Sequence, residues 1–348
     1  MNPQMRAALL LTMVLSTLVT LFSSHWLLAW MGLELNSLAI IPLMAQPNRP
    51  RAVEAAMKYF LIQAAAASTL LLAALMNAWF SGQWSINAPA HPTPAAMITL
   101  ALAMKLGLAP THAWLPDIIQ GLNLNLAMIL VTWQKLAPFA LLSQLQHSSP
   151  LLLTFLGFMS VLAGGWGGLN QTQLRKVLAY SSIAHLGWML LMLQFSPYLT
   201  FLILLIYFAM TFSIFSIFLM NNAYSLNTLM SSWAKNPILA ALAPVILLSL
   251  GGLPPLLGFI PKLTVIQELT YQGSVLLATL AALSTLLSFY FYMRLSYAAV
   301  LTLSPSNITG TLSWRLPSSP LSLPLSISTT MIVLMLPITP ALAGLTHP

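Results

Sequence analysis

The sequence has 348 residues, of which 59% are hydrophobic and only 5% charged, with a formal net charge of +8 and no cysteine. So few charges cannot cover the surface of a soluble domain of this length, and the chain is read as an integral membrane protein. The absence of cysteine excludes disulfides, thiolate-held iron–sulfur clusters and Cys-based zinc sites, and the basic residues fall singly, with no patch or stripe of the kind that binds nucleic acid.

Apolar stretches long enough to cross a hydrocarbon layer of ~30 Å recur from end to end. They predict an all-α fold of about eleven transmembrane helices, at 5–22, 25–44, 52–80, 95–120, 122–145, 151–170, 178–195, 198–220, 238–268, 274–300 and 321–345. The first stretch lacks the short apolar core and small-residue cleavage site of a signal peptide, so it is read as a retained helix. The links are short and rich in Pro, Asn, Ser and Gly, which makes 1–348 a single polytopic domain.

Sorting Lys and Arg by link supports the helix count. The N-terminus and the even-numbered links carry Arg6, Arg49, Arg51, Lys58, Arg175, Lys176, Lys235, Arg294 and Arg315, whereas the odd-numbered links and the C-terminal tail carry none. That one-sidedness is what the positive-inside rule requires. It places the N-terminus inside and the C-terminus outside. His25, His91, His147 and His347 fall in links or the tail and are expected to be solvated.

Three basic residues fall inside helices instead: Lys105, Lys135 and Lys262. Lys105 lies about ten residues, or ~15 Å, from either end of its predicted helix, beyond the reach of a snorkelling stem. Pro138, just after Lys135, leaves a backbone carbonyl without its donor. Lys262 follows the broken stretch "GGLPPLLGFIP", and Glu34 in "LAWMGLELNSLA" is the acidic counterpart at membrane depth. Ionisable groups at that depth mark proton or ion pathways.

Sliding the chain on itself by 145 residues aligns Gly107, Pro110, Trp114 and Pro116 with Gly252, Pro255, Phe259 and Pro261. Paired Gly/Pro-interrupted helices in corresponding places point to a transporter with internal repeats, and a separation of five helices, an odd number, makes the repeat inverted. The expected repeats span about 1–145 and 151–300, followed by a C-terminal helix at 321–345. Irregular backbone at this depth survives only where it lines water or is buried in protein. Burial disfavours charge on an amine and a nearby carboxylate favours it, so moving Glu34 toward or away from Lys105 would make the lysine hold or release a proton. His112 and His185 titrate near neutrality and are candidate relays between the lysines, or else hydrogen-bonded core histidines. Gly164 and Gly168 have the small-xxx-small spacing of close helix packing.

The stretches "HWLLAWMGLELNSLAIIPLM", "EAAMKYFLIQAAAS", "KLGLAPTHAWLPD", "WQKLAPFALL", "GGWGGLNQTQLRKVLAYSSIAHLGWM" and "LSLGGLPPLLGFIPK" resemble, in this order and over the whole chain, the antiporter-like membrane subunits of respiratory complex I. The resemblance implies a fold of inverted five-helix repeats with two discontinuous helices. It implies a proton-translocating core membrane subunit of an NADH:ubiquinone oxidoreductase, coupling electron transfer in partner subunits to pumping across the mitochondrial inner membrane. Carried over by position, it assigns proton translocation to Glu34, Lys105, Lys135 and Lys262, with His112 and His185 as candidate proton relays. No cofactor is expected in this chain. NADH, FMN, iron–sulfur clusters and ubiquinone are expected in partner subunits, with neighbouring antiporter-like subunits and membrane lipids as contacts, the N-terminus in the matrix and the C-terminus in the intermembrane space. Two alternatives stay open: a stand-alone cation/proton antiporter, and a purely structural membrane-arm subunit whose charges only lock helices together.

Overall fold

The computed structural model describes residues 2–46, 49–86, 91–145, 150–234, 236–301, 321–334 and 337. Within them every regular element is helical, apart from isolated bridges pairing His25 with Ser85 and Gln173 with Ser225. The chain divides into two compact units, 1–159 and 160–348, with the boundary inside one helix.

Unit 1 opens with α1 (Pro3–Phe22), α2 (Trp26–Met44) and α3 (Pro50–Ser81). Outward-facing Leu11, Leu15 and Phe22 on α1 are largely exposed, the reverse of a water-soluble bundle and the arrangement lipid calls for. α1 packs on α2 and α2 on α3. Gly32 permits the first contact, because a Cβ there would lie 3.0 Å from the Ser16 carbonyl oxygen on α1.

The predicted helix at 95–120 is two pieces. α4 (Pro92–Leu106) stops at Gly107, whose φ of +76° suits glycine alone at small cost, and α5 (Trp114–Gly121) resumes after the break. The predicted helix at 122–145 is likewise interrupted, where hydropathy alone points to one continuous crossing. α6 (Leu124–Val131) passes through a 3-10 turn, Trp133–Lys135, into α7 (Leu136–Gln144). Pro138 withholds the N–H that the carbonyl of Gln134 needs, and the Thr132 hydroxyl donates to the Met128 carbonyl at 2.7 Å, competing with the ladder.

α8 (Pro150–Gly168) leads into unit 2. There α9 (Leu174–Leu193) is buried along almost its whole length and packs on α10 (Pro197–Asn221). Gly164 sits against the α9 backbone: a Cβ there would meet the Ala184 nitrogen at 2.6 Å and the Tyr180 carbonyl oxygen at 2.8 Å, bearing out the small-residue spacing. A short α11 (Leu226–Met230), capped reciprocally by Ser225 and Thr228, and a 3-10 turn, Ser231–Ala234, occupy a stretch that reads in sequence as a plain link.

The predicted helix at 238–268 is also two pieces, α12 (Pro237–Gly251) and α13 (Phe259–Tyr271), separated at Gly252, with φ of +83°. α14 (Val275–Leu301) and α15 (Ser322–Leu334) complete the described chain. Helix resumes seven residues past the glycine in both breaks, at Trp114 and at Phe259, and the Ala109–Pro110 and Pro254–Pro255 bonds are both cis. The sequence offset of 145 residues is thus the offset of the two discontinuous helices. Among the described residues eight helices have the length and composition to cross a membrane; the two broken pairs and α15 bring the crossings to the predicted eleven.

Lys235, His147, Arg315 and His347, and the predicted helix beyond 337, lie outside the described residues. His91 is exposed and His25 part-exposed, as links at a water boundary allow. His25 accepts from the Leu27 amide at 3.2 Å through Nδ1 and stacks on Trp84, and His91 stacks on Phe80.

Candidate functional site

Unit 1 brings Lys105 and Lys135 to one cavity. Lys105 rides on the last turn of α4, Lys135 on the 3-10 turn between α6 and α7, and they are 7% and 2% exposed. The two α-helical interruptions therefore have a common purpose: each places an amine beside loosened backbone instead of hydrocarbon. The cavity holds about 20 Å³, room for a water molecule. Asn36, Ser37, Tyr59, Gln63 and Gln134 supply the rest of its polar lining.

Glu34 acts electrostatically on Lys105 and on Tyr59 from α2. The attraction stops short of an ion pair: Lys105 Nζ and Glu34 Oε2 are both buried and, among the described residues, neither has a hydrogen-bond partner. Buried opposite charges left unpaired are costly, so the arrangement gains from any proton or water that reaches it. The surrounding frame is fixed by neutral hydrogen bonds. Gln134 Nε2 donates to Asn36 Oδ1 at 3.1 Å, joining the 3-10 turn to α2, and Trp30 Nε1 donates to the Ala67 carbonyl at 3.0 Å, joining α2 to α3. Gln63 Nε2 reaches the Lys105 carbonyl at 3.4 Å. Nothing in the sequence singles out Asn36, Tyr59, Gln63 or Gln134. Tyr59 is findable only as a polar tip inside the stretch "EAAMKYFLIQAAAS".

His112 does not line this cavity. It is half-buried in the break between α4 and α5 and hydrogen-bonds the Pro110 backbone.

In unit 2 Lys262 stands in the first turn of α13 and reaches back across the break to donate from Nζ to the Gly251 carbonyl, at the end of α12. The C-terminal end of a helix carries partial negative charge, a natural seat for an ammonium. Gly252 makes the approach possible: a Cβ there would lie 2.9 Å from both Lys262 Cδ and Nζ. Gly258, on the far side of the break, donates its N–H to Ser249 Oγ at 3.3 Å. His185 is buried on α9, with its ring 5.5 Å from that of Tyr207 on α10, and α13 packs on α9. Tyr207 and Tyr292 are fully buried beside Ser182 and Ser181.

The two breaks thus share a scaffold but not a lysine position. In unit 1 the amine precedes the break, and in unit 2 it follows it.

Two family models cover the chain: "NADH:quinone oxidoreductase/Mrp antiporter, TM" matches residues 23–288, and "NADH dehydrogenase subunit 2 C-terminus" matches 289–343. Among curated relatives, NADH-ubiquinone oxidoreductase chain 2 of Tetraodon nigroviridis is 58% identical over 345 residues, 99% of each chain, and that of Gadus morhua is 58% identical with the same coverage. The chain belongs to the NADH-ubiquinone oxidoreductase chain 2 family. A chain of respiratory complex I from Thermus thermophilus has the same fold, with a TM-score of 0.85 and 30% identity over 96% of this chain and 79% of that one. A chain of the Mrp complex from Dietzia shares the fold at a TM-score of 0.81 and 15% identity, covering 97% of this chain and 76% of that one. The chain is therefore an antiporter-like, all-α membrane subunit with two discontinuous helices. Among its described residues no group of His, Asp and Glu is arranged to hold a metal ion.

Proposed function

We infer that the chain translocates protons as a core membrane subunit of an H+-translocating NADH:ubiquinone oxidoreductase, with Glu34, Lys105, Lys135 and Lys262 as the groups that hold and release them. The observation that carries this reading is the shared cavity. Two buried amines line it, the part-buried carboxylate of Glu34 acts on one of them, and the two groups stay short of contact. Such a pair is poised between two states. Approach of Glu34 stabilises the ammonium of Lys105, and withdrawal leaves an amine that sheds its proton, which Lys135 then receives across the cavity.

Lys262 works against a different partner. The carbonyl end of α12 accepts from its ammonium, so straightening or bending at Gly252 sets how firmly the proton is held. His185 and the buried tyrosines beside it offer exchangeable protons next to α13, while His112 is placed at the rim of the first break. Electron transfer from NADH to ubiquinone takes place in partner subunits, which hold the FMN and iron–sulfur clusters. Those partners include neighbouring antiporter-like subunits, with lipid against the apolar outer faces. The membrane is the mitochondrial inner membrane, with the N-terminus in the matrix and the C-terminus in the intermembrane space.

The experiment is Lys105→Met in the assembled oxidoreductase, sealed into vesicles, with protons moved per electron measured during NADH oxidation. Assembly with a reduced proton yield is expected. An unchanged yield overturns the assignment.

A further inference from the structure

The break in unit 2 is clasped by a serine. Between Gly252 and Phe259 the chain has left the helical ladder, and two consecutive amides at the end of this stretch are taken up by different helices. Leu257 donates to the Ile332 carbonyl on α15 at 3.1 Å, and Gly258 donates to Ser249 Oγ on the last turn of α12 at 3.3 Å. The Ser249 hydroxyl in turn donates to Met210 Sδ on α10 at 3.4 Å. That use of a hydroxyl is out of pattern. Other buried serines return theirs to their own helix, as Ser181 and Ser182 do on α9 and Ser213 and Ser216 on α10, each to a carbonyl three or four residues back. Ser249, fully buried, joins α10, α12 and the break instead. Gly258 fits against it only as a glycine: its φ of −65° is ordinary, but a Cβ there would overlap the Ser249 carbonyl oxygen and stand 3.2 Å from Met210 Sδ.

The clasp and the lysine close one ring. Ser249 lies two residues before Gly251, whose carbonyl accepts from Lys262, and Gly258 is the residue from which α13 starts, four residues or ~6 Å of helix before Lys262. Building on the proton-carrying role proposed for Lys262, we propose that Ser249 is its positioning residue: the hydroxyl holds Gly258 against the end of α12 and so keeps the first turn of α13 where the ammonium reaches the Gly251 carbonyl. With the hydroxyl turned back to its own helix, Gly258 loses its acceptor, the break is free to widen and the ammonium leaves its seat. A neutral hydrogen bond shifts such a balance by roughly two- to tenfold, enough to bias the seat and too little to lock it. The thioether suits that purpose, because it is a weak acceptor that aims the hydroxyl without trapping it. At the offset of 145 residues the first break has Met104 and Ala113 in the places of Ser249 and Gly258. The break whose lysine precedes it thus has neither the hydroxyl nor the glycine.

The test compares Ser249→Ala, Ser249→Thr, Met210→Leu, Ser213→Ala and Lys262→Met in the assembled oxidoreductase in sealed vesicles, reading protons moved per electron and deuterium uptake by peptides spanning 252–258. S249A is expected to lower the proton yield and to speed uptake in those peptides roughly two- to tenfold, and S249T, which keeps the hydroxyl, to recover both. M210L conserves volume and leaves the serine untouched, yet it takes away the sulfur that aims the hydroxyl, so a weaker change in the same direction is expected. S213A, whose hydroxyl bonds the Ala209 carbonyl of its own helix, is expected to be native in both readings. Native readings in S249A, or equal losses in S249A and S213A, overturn the role of Ser249 while K262M still lowers the proton yield. A native yield in K262M overturns the proton-carrying role beneath it. Should S249A fail to assemble, M210L decides: native readings there overturn the clasp.

Discussion

Replacing Gly252 by alanine tests whether Lys262 depends on the carbonyl end of α12. Two costs are separable. A non-glycine residue held at φ of +83° costs roughly 1–2 kcal/mol in backbone energy. The new methyl would also stand 2.9–3.0 Å from Lys262 Cδ, Nζ and Cε, so the side chain must swing away and give up its hydrogen bond to Gly251. A hydrogen bond to a charged group contributes about 1.5–3 kcal/mol, which at 1.4 kcal/mol per factor of ten lowers the docked population by roughly ten- to a hundredfold. Gly273 is the control. It has φ of +74° and nothing within 4 Å of an added methyl, so Gly273→Ala carries the backbone cost alone. In sealed vesicles of the assembled oxidoreductase, G252A should reduce protons moved per electron and lower the melting temperature, whereas G273A should lower the melting temperature without changing the proton yield. Equal proton yields in G252A and the native complex would refute the reasoning.

Gly164→Ala should loosen α8 from α9, because the added methyl meets main-chain atoms at 2.6 and 2.8 Å that cannot rotate aside. A loss of ~1–3 kcal/mol is expected, read as earlier thermal unfolding. Asn36→Leu leaves Gln134 without its acceptor and uncouples the 3-10 turn from α2. A destabilisation of about 1–3 kcal/mol is expected, with pumping impaired because Lys135 sits on that turn. Glu54→Gln breaks an exposed i,i+4 pair and should leave the melting temperature unchanged within error.

The lysines, Glu34 and both glycine–proline breaks are legible in the sequence because each is a discontinuity in an apolar run. A charge at membrane depth, or a residue that cannot continue a helix, is visible without knowing its neighbours. The cavity around Lys105 is not legible in that way. Asn36, Tyr59, Gln63 and Gln134 are single uncharged polar residues on different helices, and only packing brings them together. The turn at Trp133–Lys135 is hidden for a related reason. Pro138 marks a weak carbonyl, but the departure from α-helix begins at Thr132, whose hydroxyl competes for the Met128 carbonyl through a contact no hydropathy pattern registers. α11 is five residues held by a reciprocal cap, too short for any period to declare. In sequence His112 is characterised only by its neighbours in "PTHAWLP", and its place in the first break, outside the cavity lining, depends on how the broken backbone folds back on Pro110.

Because Lys105 belongs to the segment leading into its break and Lys262 to the segment leaving its own, the two broken helices are not interchangeable parts. Transplanting 92–121 into the place of 237–271 would keep the glycine break yet leave the cation on the other side of the gap. The same kind of hinge thus occurs twice in the chain, and each occurrence seats its charge in its own way.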